Sequence, residues 1–310
     1  MATARNRDNA MTGPLIFVDW GTSNFRAFLL DRDSGAELDR RVSDRGIRPL
    51  QSEDIASYLD RQIADWRGAD TALYLAGMVG SSRGWRESPQ LDLPLDATAL
   101  ASALMPVPEL PRTWILPGAR VVSERKVDVM RGEELQALGA LSVMATGNAT
   151  LCLPGTHSKW VRAAGGRLRD FTTLMTGELY QAVRFHTLIG EPARDDRPFD
   201  PTAFALGLEA VEAPGGVLHA LFEGRSRMLQ AELAPEQVAS YLSGVLIGEE
   251  VRCMRQSAPD LNRVLLIGAE RLQAPYHQAL QYCGIEASWI DGDRASQAGM
   301  LAVARAHEPP

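Results

Sequence analysis

The first hydrophobic positions of the chain form two apolar runs separated by a short polar turn. Leu15–Asp19 and Phe25–Leu30 have the composition of strands. Turn-forming residues follow at Asp31–Gly35, and a more polar run follows at Glu37–Val42. This pattern predicts three strands in an antiparallel meander.

Helical and strand patterns alternate after the meander. Ile55, Leu59, Ile63 and Trp66 recur every three or four positions, which predicts a helix with one buried stripe. The further elements predicted in this half of the chain are buried strands at Thr71–Gly77 and Thr113–Gly118 and a helix at Glu133–Met144.

After Gly147 the chain repeats the order of events seen at Leu15. The stretch TLCLPGTHSKWVRAAGGRL has an apolar run, a Gly-Thr pair, a second apolar run and a turn with glycine. Gly21-Thr22 and Gly155-Thr156 are the matched positions. Two equivalent turns indicate an internal duplication.

The rest of the chain alternates helices and strands, which predicts a mixed α/β protein. The predicted elements are a helix at Glu236–Gln256, a strand at RVLLIG, a helix at Arg271–Gly284, a strand at IEASWID and a helix at Ala295–Ala306. A length of 310 residues exceeds what one hydrophobic core usually organises, so two domains are expected.

Composition and charge exclude several classes of protein. A net charge of −7 lacks the basic field that binds nucleic acid or an anionic membrane. The apolar runs are too short to span a bilayer. Cys152, Cys253 and Cys283 are widely spaced and suggest neither a disulfide framework nor a zinc site, so a reducing cytoplasm is expected. The polar N-terminal residues 1–13 lack a secretory signal and are predicted to be a disordered lead-in.

The two Gly-Thr turns are candidate phosphate sites. Glycine lets backbone N–H groups approach an anion closely, and Thr22, Ser23 and Thr156 add hydroxyl donors. Asp19 would repel a phosphate unless a divalent cation lay between them, so the pattern favours a magnesium–nucleotide site. The alternative is that Asp19 only ends a strand and caps the turn.

Several segments together resemble the 2-dehydro-3-deoxygalactonokinases, a branch of the sugar kinase/Hsp70/actin superfamily. The resemblance runs in order over nearly the whole chain. The segments that carry it are DWGTSNFRAFLLD, AGMVGSSRGWRE, DVMRGEELQALGAL, LPGTHSKWV, TTLMTGELY and LLIGAERL.

The resemblance implies two RNase H-like α/β domains with ATP in an interdomain cleft. Residues 14–147 would form the N-terminal domain with substrate elements, and residues 148–310 the nucleotide-binding domain. The implied activity transfers a phosphoryl group from ATP, with Mg²⁺, to the 6-hydroxyl of 2-dehydro-3-deoxy-D-galactonate. Sequence does not set the epimer of the sugar acid or the oligomeric state, for which a homodimer is one option.

The resemblance also assigns the nucleotide site by position. Asp19 is the metal-site residue. The phosphate and adenosine positions are Gly21, Thr22, Ser23, Gly155, Thr156, His157, Gly268, Ala269 and Glu270. Pro154 and Ala269 depart from the superfamily pattern, where an acidic residue and a glycine are common.

Asp128 is the candidate base for the acceptor hydroxyl. The resemblance places the superfamily's catalytic Asp before the helix that ends the first domain, and Asp128 precedes GEELQALGAL. The alternative is a carboxylate that only interacts with the positive end of that helix.

The carboxylate of the sugar acid requires a cation, and Arg gives bidentate recognition. Arg83 lies in a glycine-rich loop after a buried strand, with Trp85 two residues on. Arg131 and Lys159 are further candidates, and Glu133 is a candidate for the sugar hydroxyls or for the helix start. Either arginine could instead be an ordinary solvated surface residue.

Two other kinds of function compete with this one. Gly80–Gly84 matches G-x-S-x-G, which would make Ser82 a hydrolase nucleophile, but the following residues lack the helical period that such an elbow requires. A sugar-binding regulator with a kinase fold is the non-enzymatic alternative. A kinase for another sugar or sugar acid is the alternative within the superfamily.

Overall fold

The computed structural model describes residues 13–50 and 52–307, apart from the side chains of residues 52–54. The predicted disordered lead-in, residues 1–13, lies outside this range except for Gly13. The described residues form two compact units. The first runs to Asn148 and also includes Ala163–Asp170 and the residues from Asp293 onward, and the second contains Ala149–Arg162 and Phe171–Gly292. The predicted domain ranges 14–147 and 148–310 stay predictions.

The elements up to Asn148 are β1 (Leu15–Trp20), β2 (Phe25–Leu30), β3 (Glu37–Ser43), α1 (Ser52–Ile63), β4 (Ala72–Gly77), β5 (Gln90–Asp92), α2 (Ala97–Ser102), β6 (Met105–Pro106), β7 (Thr113–Ile115), β8 (Gly118–Ser123), β9 (Lys126–Met130) and α3 (Glu133–Val143). The elements that follow are β10 (Ala149–Leu153), β11 (Ser158–Ala164), β12 (Arg167–Leu174), α4 (Thr176–His186), α5 (Pro201–Ala210), α6 (Gly216–Leu229), α7 (Val238–Ser257), β13 (Arg263–Gly268), α8 (Gln273–Tyr282), β14 (Glu286–Asp291) and α9 (Gly292–His307).

The main sheet of the first unit has the order β3-β2-β1-β4-β7-β6. β1 pairs antiparallel with β2, and β2 with β3, which confirms the predicted meander. β1 also pairs parallel with β4, and β4 with β7. Leu15, Ile16, Phe17 and Val18 are all buried, as expected for a central strand covered on both faces.

A small second sheet in this unit has the order β5-β8-β9. β8 and β9 form an antiparallel hairpin in which Val121 lies opposite Asp128 and Val122 opposite Val127. Cross-strand partners share a face, so Asp128 lies on the face opposite to the exposed Val122 and Val127. The β9 strand ends at Met130, directly before the turn into α3.

The sheet of the second unit has the order β12-β11-β10-β13-β14. β10 pairs parallel with β13, and β13 with β14. The first five strands of the main sheet in the first unit follow the same order, which is three sequential strands followed by two crossover strands on the other side. The repeat inferred from the two Gly-Thr turns is therefore present in the strand order.

The longest helix of the described chain, α7, is packed deep in the second unit. Tyr241, Leu242, Val245 and Val251 on this helix are fully buried. None of the helices in the described ranges is both long enough and apolar enough to cross a bilayer.

Candidate active site

The first Gly-Thr turn joins β1 to β2 and is held by the segment that follows β3. The Gly21 N–H donates to the Asn24 carbonyl at 2.9 Å. Ile47 and Arg48 donate their N–H groups to the carbonyls of Gly21 and Thr22, at 3.0 and 3.2 Å. These bonds fix the backbone of the turn and leave the side chains of Thr22 and Ser23 exposed. Both hydroxyls are therefore available to an anionic ligand.

Asp19, at the end of β1, is held by an ion pair. Its Oδ2 accepts from Arg26 at 2.5 Å, and Arg26 also donates to Asp293 Oδ1 at 2.6 Å. Burial acts to lower the pKa of Arg26, but the charges of Asp19 and Asp293 outweigh this effect and raise it. Arg26 therefore stays cationic and fixes the orientation of the Asp19 carboxylate.

The second oxygen of Asp19 suits a nucleotide-bound magnesium ion. Oδ1 has no hydrogen-bond partner within the described ranges, and the side chain is 14% exposed. Gly77 lies beside it with φ of 88°, where a side chain would be strained and would crowd Oδ1 at 3.3 Å. No group of three or more His, Cys, Asp or Glu ligands occurs in the residues that are described. One carboxylate fits magnesium that is bound mainly by phosphates and water.

The loop after β4 contains the predicted substrate residues Arg83 and Trp85. Trp85 is half-buried against the core of the first unit, and its N–H donates to the Val79 carbonyl at 2.9 Å. Arg83 is exposed and makes no hydrogen bond or ion pair with any residue the structure describes. Beyond Ser82 the loop runs into β5 without a helix, as the rejection of a hydrolase site at Ser82 requires.

Arg131 makes hydrogen bonds to Ser88 within the first unit. Its Nη1 donates to Ser88 Oγ in a short bond, and its Nη2 donates to the Ser88 carbonyl at 3.0 Å. Burial lowers the pKa of Arg131, partly offset by the charges of Glu134 and Glu87. Arg131 thus ties the turn before α3 to the loop after β4. Lys159 lies in β11 and is only 4% exposed.

The start of α3 carries two adjacent glutamates in different environments. Glu133 is half-buried and accepts from the Arg131 N–H at 3.1 Å. Glu134 is fully buried, and both of its oxygens accept from the Gly132 N–H at 2.8 and 2.9 Å. Desolvation, followed by the charge of Glu133, raises the pKa of Glu134 to about 8. Asp128, within β9, is half-buried and accepts from the Val129 N–H at 2.8 Å.

The second Gly-Thr turn is held by the start of α4 in the second unit. The Glu178 N–H donates to the Thr156 carbonyl at 2.8 Å, and His157 Nε2 lies 2.7 Å from Glu178 Oε2. Gly177 packs so closely that a methyl group there would lie 2.2 Å from the Gly155 carbonyl oxygen. The first turn of α4 and the Gly155–His157 loop therefore form one rigid piece. Sequence reasoning recognised TTLMTGELY but did not find this role for Gly177.

A cavity of about 390 Å³ opens beside this loop, entirely within the second unit. Its walls combine apolar and aromatic side chains with hydroxyl groups and cations. The residues that line it are Gly155, Thr156, Thr176, Gly177, Tyr180, Gln181, Arg184, Arg197, Phe199, Ala239, Ser240, Ser243, Leu246, Ile247, Arg271, Leu272, Pro275 and Tyr276. A mostly apolar pocket with a few polar groups is typical of small-molecule sites and has room for a nucleoside.

The predicted adenosine residues lie just before this cavity in the chain. Gly268 ends β13, and Ala269 and Glu270 are exposed in the turn that follows. The cavity wall begins at Arg271, one residue later. A methyl group at Gly268 would lie 3.5 Å from the Pro154 carbonyl oxygen, so Gly268 adjoins the second loop.

Comparisons with known proteins identify the family. The profile of the 2-keto-3-deoxy-galactonokinase family matches residues 19–303. A relative from Escherichia coli K12, named 2-dehydro-3-deoxygalactonokinase, is 37% identical over 96% of this chain and 99% of its own.

Solved structures agree with this assignment and with the fold. A structure from Sinorhizobium meliloti, described as a candidate 2-dehydro-3-deoxygalactonokinase, is 33% identical over 96% of this chain and all of its own, with a TM-score of 0.88. Component A of the Acidaminococcus fermentans (R)-2-hydroxyglutaryl-CoA dehydratase is 11% identical over 95% of this chain and 99% of its own, with a TM-score of 0.56, and shares the fold alone. The predicted fold class, α/β with two RNase H-like domains, is confirmed, and this chain belongs to the 2-keto-3-deoxy-galactonokinase family.

Proposed function

We propose that this chain phosphorylates 2-dehydro-3-deoxy-D-galactonate at its 6-hydroxyl, with ATP as the phosphoryl donor. The observation that carries the proposal is the family match over residues 19–303, together with 37% identity to the E. coli relative along almost its full length. The reaction class is that of a phosphotransferase with an alcohol acceptor. The free thiols of Cys152, Cys253 and Cys283 favour a cytoplasmic location.

Each Gly-Thr loop is proposed to bind phosphate oxygens of the nucleotide. Gly21, Thr22 and Ser23 offer N–H groups and hydroxyls to phosphate oxygens, as do Gly155, Thr156 and His157. The adenosine is proposed to lie in the cavity beyond Gly268, Ala269 and Glu270. Asp19 would hold Mg²⁺, and this ion would neutralise charge on the phosphates when bound.

Asp128 is proposed to accept the proton of the 6-hydroxyl during transfer. Phosphoryl transfer depends mainly on positioning and charge stabilisation, so the base has one task, which is to orient and deprotonate the acceptor. Glu133 and Trp85 are proposed to contact the sugar. Among the cations, Arg83 is the preferred partner for the substrate carboxylate because Arg131 is engaged with Ser88 and Lys159 is buried.

A coupled assay of ADP release tests the activity directly. The protein is presented with ATP, Mg²⁺ and a panel containing 2-dehydro-3-deoxy-D-galactonate, its gluco epimer, other sugar acids and neutral sugars. We expect release of ADP to depend on the first compound and to exceed that with any neutral sugar. Turnover with a neutral sugar alone would assign a different kinase, and nucleotide binding with no turnover on any compound would favour a regulator.

Replacing Arg83 with Ala is expected to raise KM for the sugar acid about 10-fold or more, with kcat changed little, because a charge-assisted bidentate contact is lost. The KM of Arg83→Lys should lie between those of the unmodified protein and Arg83→Ala, since Lys keeps the charge but cannot form a bidentate contact. The measurement is initial rate against sugar-acid concentration at saturating ATP.

Arg61→Ala, at an exposed position on α1, is the matched control and should behave like the unmodified protein. An analogue without the carboxylate should be used equally poorly by the unmodified protein and by Arg83→Ala. If Arg83→Ala still distinguished the sugar acid from that analogue, Arg83 would not be the carboxylate partner.

A further inference from the structure

A buried carboxylate lies behind the cavity of the second unit. Glu250, on α7, is 1% exposed. Its Oε1 accepts from Trp160 Nε1 at 2.8 Å and lies 3.9 Å from Cys152 Sγ. Its Oε2 accepts from Thr176 Oγ1 in a short bond and from Tyr276 OH at 2.9 Å. Groups that can donate hydrogen bonds thus face both oxygens of this carboxyl.

The arrangement fixes where each hydroxyl proton points. The indole of Trp160 can only donate, and an ionised carboxylate can only accept. Burial raises the pKa of Glu250, and the hydrogen bonds from Thr176, Trp160, Tyr276 and Ser158 act in the opposite direction. Since the Tyr276 hydroxyl donates to Glu250, it accepts in its 2.8 Å hydrogen bond with Ser158, and the Ser158 hydroxyl is the donor. Above the raised pKa of Glu250, where the carboxyl is ionised, the Thr176 and Tyr276 hydroxyls therefore both donate to it.

The hydrogen bond from Thr176 to Glu250 determines what Thr176 can offer a ligand in the cavity. Thr176 and Tyr276 both line the cavity, and the lone pairs of Tyr276 are already engaged in part by Ser158. Thr176 donates its only hydroxyl proton in the hydrogen bond to Glu250. Its oxygen can therefore only accept a hydrogen bond from a ligand in the cavity. A ligand group that meets Thr176 must donate, as a ribose hydroxyl or an exocyclic amino group does.

Thr176 also begins α4, the helix that carries Gly177 and Glu178 against the second Gly-Thr loop. The bond to Glu250 therefore anchors the first residue of the helix that supports that loop. A buried acceptor whose donors converge from β11, α4 and α8 gives this wall one hydrogen-bonding arrangement.

We infer that Glu250 is a positioning residue of the nucleotide pocket, which holds Thr176 as a hydrogen-bond acceptor that selects nucleotides carrying a donor at that point. The inference rests on the proposed use of ATP. In this inference Glu250 contacts no ligand itself. Its effect is that the pocket wall presents a hydrogen-bond acceptor at Thr176.

The test is calorimetric binding of nucleotides without sugar acid, so that catalysis is not needed. The probes are ATP and three analogues that each lack one of its donors, namely 2′-deoxy-ATP, 3′-deoxy-ATP and purine riboside triphosphate. We expect the unmodified protein to bind one of the three analogues about 10-fold more weakly than ATP, the usual effect of losing one hydrogen bond.

Four variants test whether Thr176 and Glu250 cause this difference in affinity between ATP and the analogue. Thr176→Val and Glu250→Gln should both abolish it, because the first removes the acceptor and the second lets the Thr176 hydroxyl turn its proton to the ligand. Thr176→Ser should retain it. Tyr276→Phe should also retain it, since Thr176 still donates to Glu250. Thermal unfolding of each variant accompanies the titrations, and a change in stability alone does not alter the ratio of two affinities.

The outcomes separate this inference from the proposed function. Normal ATP binding with equal affinity for all four nucleotides would overturn the inference alone, as would a folded Glu250→Gln that keeps the discrimination. Should Glu250→Gln fail to fold, Thr176→Val against Thr176→Ser still decides the matter, and retained discrimination in Thr176→Val overturns it. No nucleotide binding by the unmodified protein would overturn the proposed function and the inference with it.

Discussion

Asp128→Asn is expected to lower kcat at least about 100-fold, which is the usual contribution of a general base, while KM for ATP changes little. An amide cannot take the proton of the 6-hydroxyl. The substitution should leave the fold intact, because an Asn oxygen can still accept from the Val129 N–H that Asp128 now holds at 2.8 Å. The measurement is steady-state kinetics of ADP release with thermal unfolding as the check on folding.

Two further variants make this test specific. Glu124→Gln changes an exposed carboxylate in the turn of the same β8–β9 hairpin and should keep normal turnover. Glu133→Gln examines the other partly exposed carboxylate near the start of α3. If Asp128→Asn turned over almost normally and Glu133→Gln did not, the base would be Glu133 and the assignment of Asp128 would be wrong.

The elements that sequence predicted best are those whose signals are local. The meander of β1, β2 and β3 is marked by turn residues at Asp31–Gly35 and by apolar runs bounded on both sides. The strands β4 and β13 are continuous apolar runs that end in glycine. The repeated Gly-Thr turn predicted a duplication, and the strand orders of the two units match. This prediction needed only a local pattern that occurs twice, and no contact between residues far apart in the chain.

The β8–β9 hairpin was missed because its pattern is inverted relative to the usual one. Lys126–Met130 alternates as a strand should, yet Val127 is 75% exposed and the polar Asp128 is on the other face. Alternation predicts a strand but does not say which face is buried, since that depends on the rest of the fold. The environment of Asp128 therefore required the structure.

The helices α4, α5 and α6 were also not predicted. Leu218 and Leu229 on α6 are 80% and 71% exposed, so the apolar positions do not mark a buried stripe. Amphipathic spacing is the main signal for a helix, and it fails where that stripe is absent. The part of the cavity wall that lies on α4, which includes Thr176, Tyr180 and Arg184, could therefore not be placed from spacing alone. Glu250 was likewise hidden, because nothing local distinguishes a buried Glu in a helix from a solvated one.

Glu134→Gln is expected to flatten the dependence of stability on pH between about 4.5 and 8. The pKa of Glu134 is raised to about 8 in the folded protein by desolvation and, second, by the charge of Glu133. Below about pH 4.5 the carboxyl is protonated in both states. Between the two values the folded protein keeps a proton that the unfolded chain releases, so the free energy of unfolding falls as pH rises.

The fall contributed by Glu134 is on the order of 5 kcal/mol across that window, at about 1.4 kcal/mol for each pH unit. The amide in the Glu134→Gln variant has no proton to release, so this variant should lack the fall and be the more stable protein at pH 8. Urea unfolding at several pH values measures it, with the exposed Glu124→Gln as the control. Glu250 contributes a fall of the same sign to all three proteins, so only the difference between curves is interpreted. Parallel curves for Glu134→Gln and the unmodified protein would mean that the buried carboxyl ionises at its ordinary pKa, with Arg131 and the Gly132 N–H stabilising its charge at the start of α3.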